Sequence, residues 1–168
     1  MWYIVYAKKV IDPYLKSDLE EKKVEYYIPT QVVKNSADKS QVPPKVEYPL
    51  GKLIFVKTPG RIQNLILAVD GLLCIYKDHA TDSCAVVPDA VMEAFRMFLT
   101  HNDEKVLFLK DPFSHFWDKK KVRVTAGPFQ GMEGRVVRVQ RKRKLVLELG
   151  TFAVAISGFD PTQLEPLD

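Results

Sequence analysis

Side chains able to perform covalent or metal chemistry are few in this sequence, and they are scattered. The three histidines, His79, His101 and His115, share no metal-binding spacing. Asp78-His79 with Asp82 and Cys84 is the densest group of ligand-type residues, but it falls in a polar stretch that reads as a loop or hairpin. Cys74 and Cys84 have nine residues between them and no C-x-x-C pattern, so they read as free thiols of a reducing compartment. There is no phosphate-binding glycine loop, no G-x-S-x-G and no nucleophile beside a plausible base. No catalytic residue, metal or cofactor is therefore expected. What remains is the chemistry of binding: aromatic and apolar anchors in the first half, and guanidinium and ammonium groups concentrated in the last third.

That concentration shows in the charge balance. The net charge is +4, from 25 Lys/Arg against 21 Asp/Glu. From Lys119 onward ten basic residues face five acidic ones, a net of +5; the first 118 residues carry fifteen against sixteen, a net of −1. A localised basic excess points to nucleic acid or an acidic protein surface as partner. No stretch has the length and apolarity of a signal peptide or membrane span, and charge begins at Lys8; a soluble, cytoplasmic, monomeric protein without membrane contact is expected. At 46% hydrophobic residues the chain can bury a core, and its length fits one large domain or two small ones.

The elements that must position these groups follow from periodicity. Trp2-Tyr-Ile-Val-Tyr-Ala7 is β-branched and aromatic, hence a strand. Asp12-Pro13 supplies an N-cap and a first-turn proline for a helix with Leu15 and Leu19 inward. Residues 24–33 read as a second strand bent at Pro29, and 34–45 as an exposed hairpin tip. Residues 50–56 form a third strand. A helix over 61–69 places Ile62, Leu65, Ile66 and Val69 at i, i+3, i+4, i+7, and Asp70-Gly71 stops it before a fourth strand at 72–76. Pro88 opens a last helix with Val91, Phe95, Phe98 and Leu99 inward. The order β-α-β-β-α-β is that of a ferredoxin-like α/β sandwich. The expected division is 1–106 for this domain, 107–118 for a linker and 119–168 for a second domain.

The second domain is built on Lys121-Val-Arg-Val-Thr-Ala-Gly-Pro-Phe-Gln-Gly-Met-Glu-Gly-Arg-Val-Val-Arg-Val139. Val122 and Val124 alternate with Arg123 and Thr125, Gly127-Pro128-Phe129 turns the chain, and Val137 and Val139 alternate with Arg138. Gly134 suits a place where strands cross closely. Short bent strands of this kind close into a small SH3-like β-barrel, and the glycines, Pro128 and valine runs disfavour a helical alternative. The overall class expected is α+β.

The stretch V-R-V-T-x-G-P-F-x-G-x-E-G resembles the KOW motif as it occurs in the NusG family of transcription elongation factors. Some large-subunit ribosomal proteins carry that motif too, but they lack such a front half. Trp2-Tyr3, Ile28-Pro29, Leu53-Ile-Phe-Val56, Asp70-Gly71 and Val87-Pro88-Asp89-Ala-Val91 fall in the order of the family's N-terminal NGN domain. Pro49-Leu-Gly-Lys-Leu-Ile-Phe-Val56, the Arg141-Lys-Arg-Lys144 hairpin and Phe152-Ala-Val-Ala-Ile156 are most similar to the specialised UpxY/RfaH-type paralogues.

The resemblance implies a non-enzymatic elongation or antitermination regulator. Its front domain would grip the clamp helices of RNA polymerase through Tyr6, Leu50, Leu53, Phe55 and Trp2; these residues are alternatively ordinary strand residues facing the helices. Lys8 and Lys9 match the place where specialised paralogues meet non-template DNA, or are a solvated pair. Thr58 to Gln63, around Pro59-Gly60-Arg61, corresponds to a contact with the polymerase β subunit. In the barrel, Arg141, Lys142, Arg143 and Lys144 would touch nucleic acid such as nascent RNA, or form a solvated tip. Phe129, Arg123 and Arg138 would meet a partner such as a small-subunit ribosomal protein, although Phe129 equally suits plugging the barrel end. A KOW-type RNA- or ribosome-binding module without polymerase contact is the alternative function.

Overall fold

A computed structural model describes residues 1–10, 12–33, 43, 45–78, 81–101, 107–109, 120–127, 129–139, 141–148, 153–156 and 159–167. The fold is α+β, and packing divides the chain into Met1–Met92 and Glu93–Asp168, a division that falls within the last helix.

The first unit is centred on β1 (Trp2–Ala7). Strand β5 (Leu53–Lys57) lies against it in antiparallel register, with Ile4 opposite Phe55 and Tyr6 opposite Leu53. Strand β2 (Glu25–Tyr27) flanks β5, and β6 (Leu72–Ile75) flanks β1 on the other side. The order β2-β5-β1-β6 is the antiparallel arrangement of a ferredoxin-like sandwich, with the short β7 (Val86–Val87) also paired to β1. Helix α1 (Pro13–Glu21) begins where expected, because the Asp12 carboxylate accepts from the Tyr14 amide at 3.0 Å and Pro13 occupies the first turn. Helix α2 (Ile62–Ala68) follows Gly60-Arg61. Val5, Ala7, Ile54 and Val56 on one sheet face meet Leu15 and Leu19 of α1 and Ile62 and Leu65 of α2 in a single apolar cluster. Each buried Val, Leu or Ile here contributes roughly 1.5–3 kcal/mol through burial.

One local outcome differs from the periodicity. The single strand expected at 24–33 is interrupted: β2 ends at Tyr27, and Gln31–Val33 (β3) pairs instead with Lys45–Glu47 (β4) as a separate ribbon. Pro29, with no N–H, cannot continue the ladder between them. The hairpin tip itself, 34–42 and 44, lies outside the described residues. The loop after β6 is a hairpin, bridged at Lys77 and Cys84 with the Asp78 amide donating to the Ser83 carbonyl at 2.9 Å.

Helix α3 (Asp89–His101) starts with the Pro88 carbonyl accepting from the Met92 amide at 3.0 Å. Met92 and Phe95 are buried, while Val91 is only half-buried. The side chain of Phe98 lies outside the described residues.

The second unit is an antiparallel sheet ordered β13-β9-β10-β11-β12-β8, the meander of a small SH3-like barrel. Its strands are β8 (Leu107–Leu109), β9 (Lys121–Val124), β10 (Glu133–Val139), β11 (Lys142–Glu148), β12 (Ala153–Ile156) and β13 (Leu164–Leu167). Leu107–Leu109, where the linker was expected to begin, pairs with β12. The β9–β10 turn uses the left-handed φ of Gly127 (+86°) and Gly131 (+85°), which only glycine adopts freely. Gly134 is required for space: a Cβ there would stand 2.4 Å from the Val146 carbonyl oxygen. Strand β11 is buried on both faces, with Leu145 and Leu147 on one side and Val146 on the other beside Val137, Ala153 and Ala155. The unbroken apolar run of β12 has the composition of a strand covered on both sides.

Candidate interaction surfaces

On the face of the front sheet opposite α1 and α2, apolar side chains are partly exposed at Tyr27 and, at one end, at Tyr6 and Leu53. There the rung Ile4–Phe55 is completely buried, while the next rung, Tyr6–Leu53, is half-exposed. Tyr6 leans on Tyr76 with ring centroids 5.5 Å apart and planes inclined at 55°. Cys74 is Tyr6's partner on the other side, and its thiol is exposed. Partial burial, then the neighbouring Tyr76 and Cys74, raise the Tyr6 phenol above its ordinary pKa, so it stays a neutral hydrogen-bonding group. A register irregularity between Tyr6 and Ala7 leaves Leu73 outside the pairing and exposed. The resulting patch is Tyr6, Leu53, Cys74 and Tyr76, with the exposed Leu73 adjoining it in the chain.

Three of the five residues expected to grip a partner are placed differently. Trp2 (1% exposed), Phe55 (0%) and Leu50 (8%) are core residues, with no free surface to offer in this arrangement. The strand pattern alternates, but the sheet is covered on both faces along these rungs, so outward alternation does not mean exposure. Trp2 lies under the Lys57 ammonium at 5.9 Å, which is also paired with Asp89 at 3.0 Å, and the Phe55 ring meets Tyr27 at 6.2 Å. Leu73, Cys74 and Tyr76 were missed by sequence reasoning. Their strand was identified, but an exposed position created by a bulge has no signature in alternation.

The lysine pair separates in the same way. Lys8 is tied to Asp70 at 2.9 Å, a contact that holds the Asp70 carboxyl below its ordinary pKa. Lys9 is exposed and has no partner among the described residues. In the loop before α2, the Gly60 amide donates to the Thr58 hydroxyl at 3.2 Å and Arg61 stands exposed at the helix start.

In the second unit the basic residues do not form one face. Arg123 is paired with Glu133 at 3.1 Å. Arg138 and Arg143 face each other across β10 and β11, both exposed, and Arg141 sits at the hairpin tip with φ +65°. Lys144, expected at a solvated tip, is buried at 7% exposure, because it lies opposite Val137 on the covered face of the strand. The Lys142 side chain lies outside the described residues. Phe129 is half-buried in its turn, its carbonyl accepting from the Met132 amide at 2.9 Å. Among the described residues no three His, Cys, Asp or Glu side chains gather as a metal site, and no helix is long and apolar enough to cross a membrane. His79 and His115 are outside them.

The turn geometry of Gly127 and Gly131, the close crossing at Gly134 and the hairpin β10–β11 together mark the motif. Residues 119–148 match the KOW motif. No curated protein matches the sequence. Two solved structures are similar over most of the chain. One is NusG of Thermotoga maritima, in a study of its domain interaction: 14% identity over 99% of this chain and 97% of that one, TM-score 0.47. The other is a chain of the MjSpt4:Spt5 complex in conformation B, at 15% identity over 99% and 97%, TM-score 0.29.

Proposed function

We propose that this chain is a NusG/Spt5-type transcription elongation factor, of the specialised UpxY/RfaH-type, that works by binding and carries out no reaction of its own. The reading rests on the KOW motif at 119–148 joined to a ferredoxin-like front unit. The observation that carries the polymerase contact is the partly exposed Tyr6–Leu53 rung, with Tyr76 beside it, next to the buried rung Ile4–Phe55. Apolar and aromatic anchors of this kind are what a helical partner needs. The clamp helices of RNA polymerase are the proposed occupant, with Leu73 and Cys74 at the margin and the loop at Arg61 toward the β subunit. Trp2, Leu50 and Phe55 act by holding the rung in place. Lys9, and Lys8 when released from Asp70, lie toward non-template DNA, while the β10–β11 hairpin and Phe129 recruit a second partner, nucleic acid or a small-subunit ribosomal protein.

The effect on transcription follows from differential affinity. A factor that binds the closed, elongating polymerase more tightly than the paused one shifts the population toward elongation and suppresses pausing or termination. The test is capture of purified core polymerase by the full chain and by Tyr6→Ala and Leu53→Ala variants whose melting curves match the parent. Each should lose affinity by about tenfold or more, the effect of removing an interface anchor. Parental affinity in both variants would overturn the polymerase contact. Capture of ribosomal subunits in place of polymerase would leave the KOW-type RNA- or ribosome-binding module as the function.

A further inference from the structure

The β10–β11 hairpin carries a charge arrangement that folding alone does not explain. Along one face of the two strands the rungs run Gly134–Leu147, Val136–Leu145, Arg138–Arg143. The first two hold Leu147 and Leu145, both buried; the third is a pair of exposed guanidinium groups on the same face, one step beyond the core. The hairpin therefore overhangs the barrel and turns its inner face cationic. Side chains directly opposite in an antiparallel pair are near neighbours, and like charges there repel. Arginine cannot relieve this by losing its proton. Nor does the hairpin supply a counter-charge. No acidic residue lies between Glu133 and Glu148, and Arg138, Arg141 and Arg143 have no partner among the described residues. Arg141 adds a third cation at the tip, in a left-handed conformation that disfavours any side chain.

We infer that this overhang is a binding site for the phosphate backbone of a nucleic-acid duplex, with Arg138, Arg141 and Arg143 as its contacts. A polyanion turns the repulsion into attraction, and guanidinium forks match phosphate oxygens. A protein partner is disfavoured because no large hydrophobic residue is exposed among the described residues of 133–148, leaving no anchor for an interface core. A single strand is disfavoured because no aromatic residue occurs in 130–151 to stack a base, and Phe129 itself is half-buried in its turn. A duplex needs neither, and it presents phosphates at high, regular density. Recognition is of backbone, without base sequence.

This inference deepens, and rests on, the partner-recruiting role given to the hairpin above, and it is tested without polymerase. Anisotropy titrations of the full chain would use labelled DNA and RNA duplexes, the matching single strands and a polyglutamate competitor, over a range of salt. Binding to either duplex form should show a salt slope that falls by about 0.9 for each arginine removed, or roughly 2–3 in R138Q/R141Q/R143Q. The variants should also melt higher than the parent, because a repulsion has gone, and duplex should raise the parent's melting temperature. Three results overturn the inference: an unchanged slope in the triple variant, tighter binding of single strands than of duplex, or polyglutamate displacing duplex at equal charge concentration. Any of these with polymerase capture intact removes this inference alone. Polymerase capture indifferent to Tyr6, with duplex binding dependent on the arginines, removes the polymerase reading and leaves this one.

Discussion

The two units end their sheets in the same way and with opposite chemistry. On the front sheet a buried rung, Ile4–Phe55, is followed on the same face by the half-exposed Tyr6–Leu53. On the barrel, Val136–Leu145 is followed by the exposed Arg138–Arg143. In both, a face buried at one rung is exposed at the next, where the proposed reading puts a partner. The front unit offers apolar area, whose attraction is short-ranged and little affected by salt; the barrel offers charge, which acts at a distance and is screened. On the proposed reading, a molecule built this way would hold one partner by fit and another by field.

The comparison depends on the inner rungs being structural and the outer ones not. Phe55→Ala tests this with the largest effect. Removing a fully buried aromatic ring should cost about 3–5 kcal/mol of stability, measured by denaturant unfolding. The fraction that remains folded should still capture polymerase, since Phe55 has no free surface. Tyr6→Ala should show the converse: near-parental unfolding and weakened capture. If Phe55→Ala left unfolding unchanged but abolished capture, the two rungs would have exchanged roles.

How much of this was legible beforehand depends on whether the signal is local. The start of α1 was plain because Asp12-Pro13 satisfies its own first turn, and α2 because Ile62, Leu65 and Val69 recur on one helical face. The β9–β10 turn was plain because its glycines have few other conformational reasons to be there. Burial of Trp2 and Phe55 was not legible: alternation says which residues share a face, and only the fold says whether that face is covered. Lys144 shows the same limit from the polar side. It sits in the run Arg141 to Lys144, which reads as a solvated tip, yet the strand's period of two sends Arg143 to solvent and Lys144 to a covered face. The strand Leu107–Leu109 was hidden because its ladder partner, β12, lies more than forty residues away.

On the barrel side, the matching structural test is Gly134. This residue opens the inner face that leads to Arg138, and a methyl group there would meet the Val146 carbonyl oxygen at 2.4 Å. Backbone cannot yield as a side-chain tip can, so Gly134→Ala should destabilise the second unit by about 1–3 kcal/mol. The check is hydrogen exchange: amides of β10 and β11 should lose protection. Unchanged protection would mean that the crossing is looser than the geometry implies, and that the overhang is not held in register by it.

The smallest effect separates paired from unpaired charge directly. Lys8 and the arginines of the hairpin are all exposed cations, but Lys8 is held by Asp70 at 2.9 Å. The contact lowers the Asp70 pKa, first through the hydrogen bond and then through the lysine's charge. A carboxyl depressed in the folded state stabilises it above the unfolded pKa, about 3.9, and that contribution is lost as pH falls through the folded value. The difference in melting temperature between the parent and Lys8→Ala should therefore be small at neutral pH, shrink with salt, and vanish in acid. Asp70→Asn should do more for binding than for stability. It releases Lys8, so the salt slope for binding of single-stranded DNA should steepen, by at most about 0.7 for one added phosphate contact. An equal steepening in Asp70→Asn/Lys8→Ala would show that the gain comes from lost negative charge alone, and that Lys8 was never a contact in waiting.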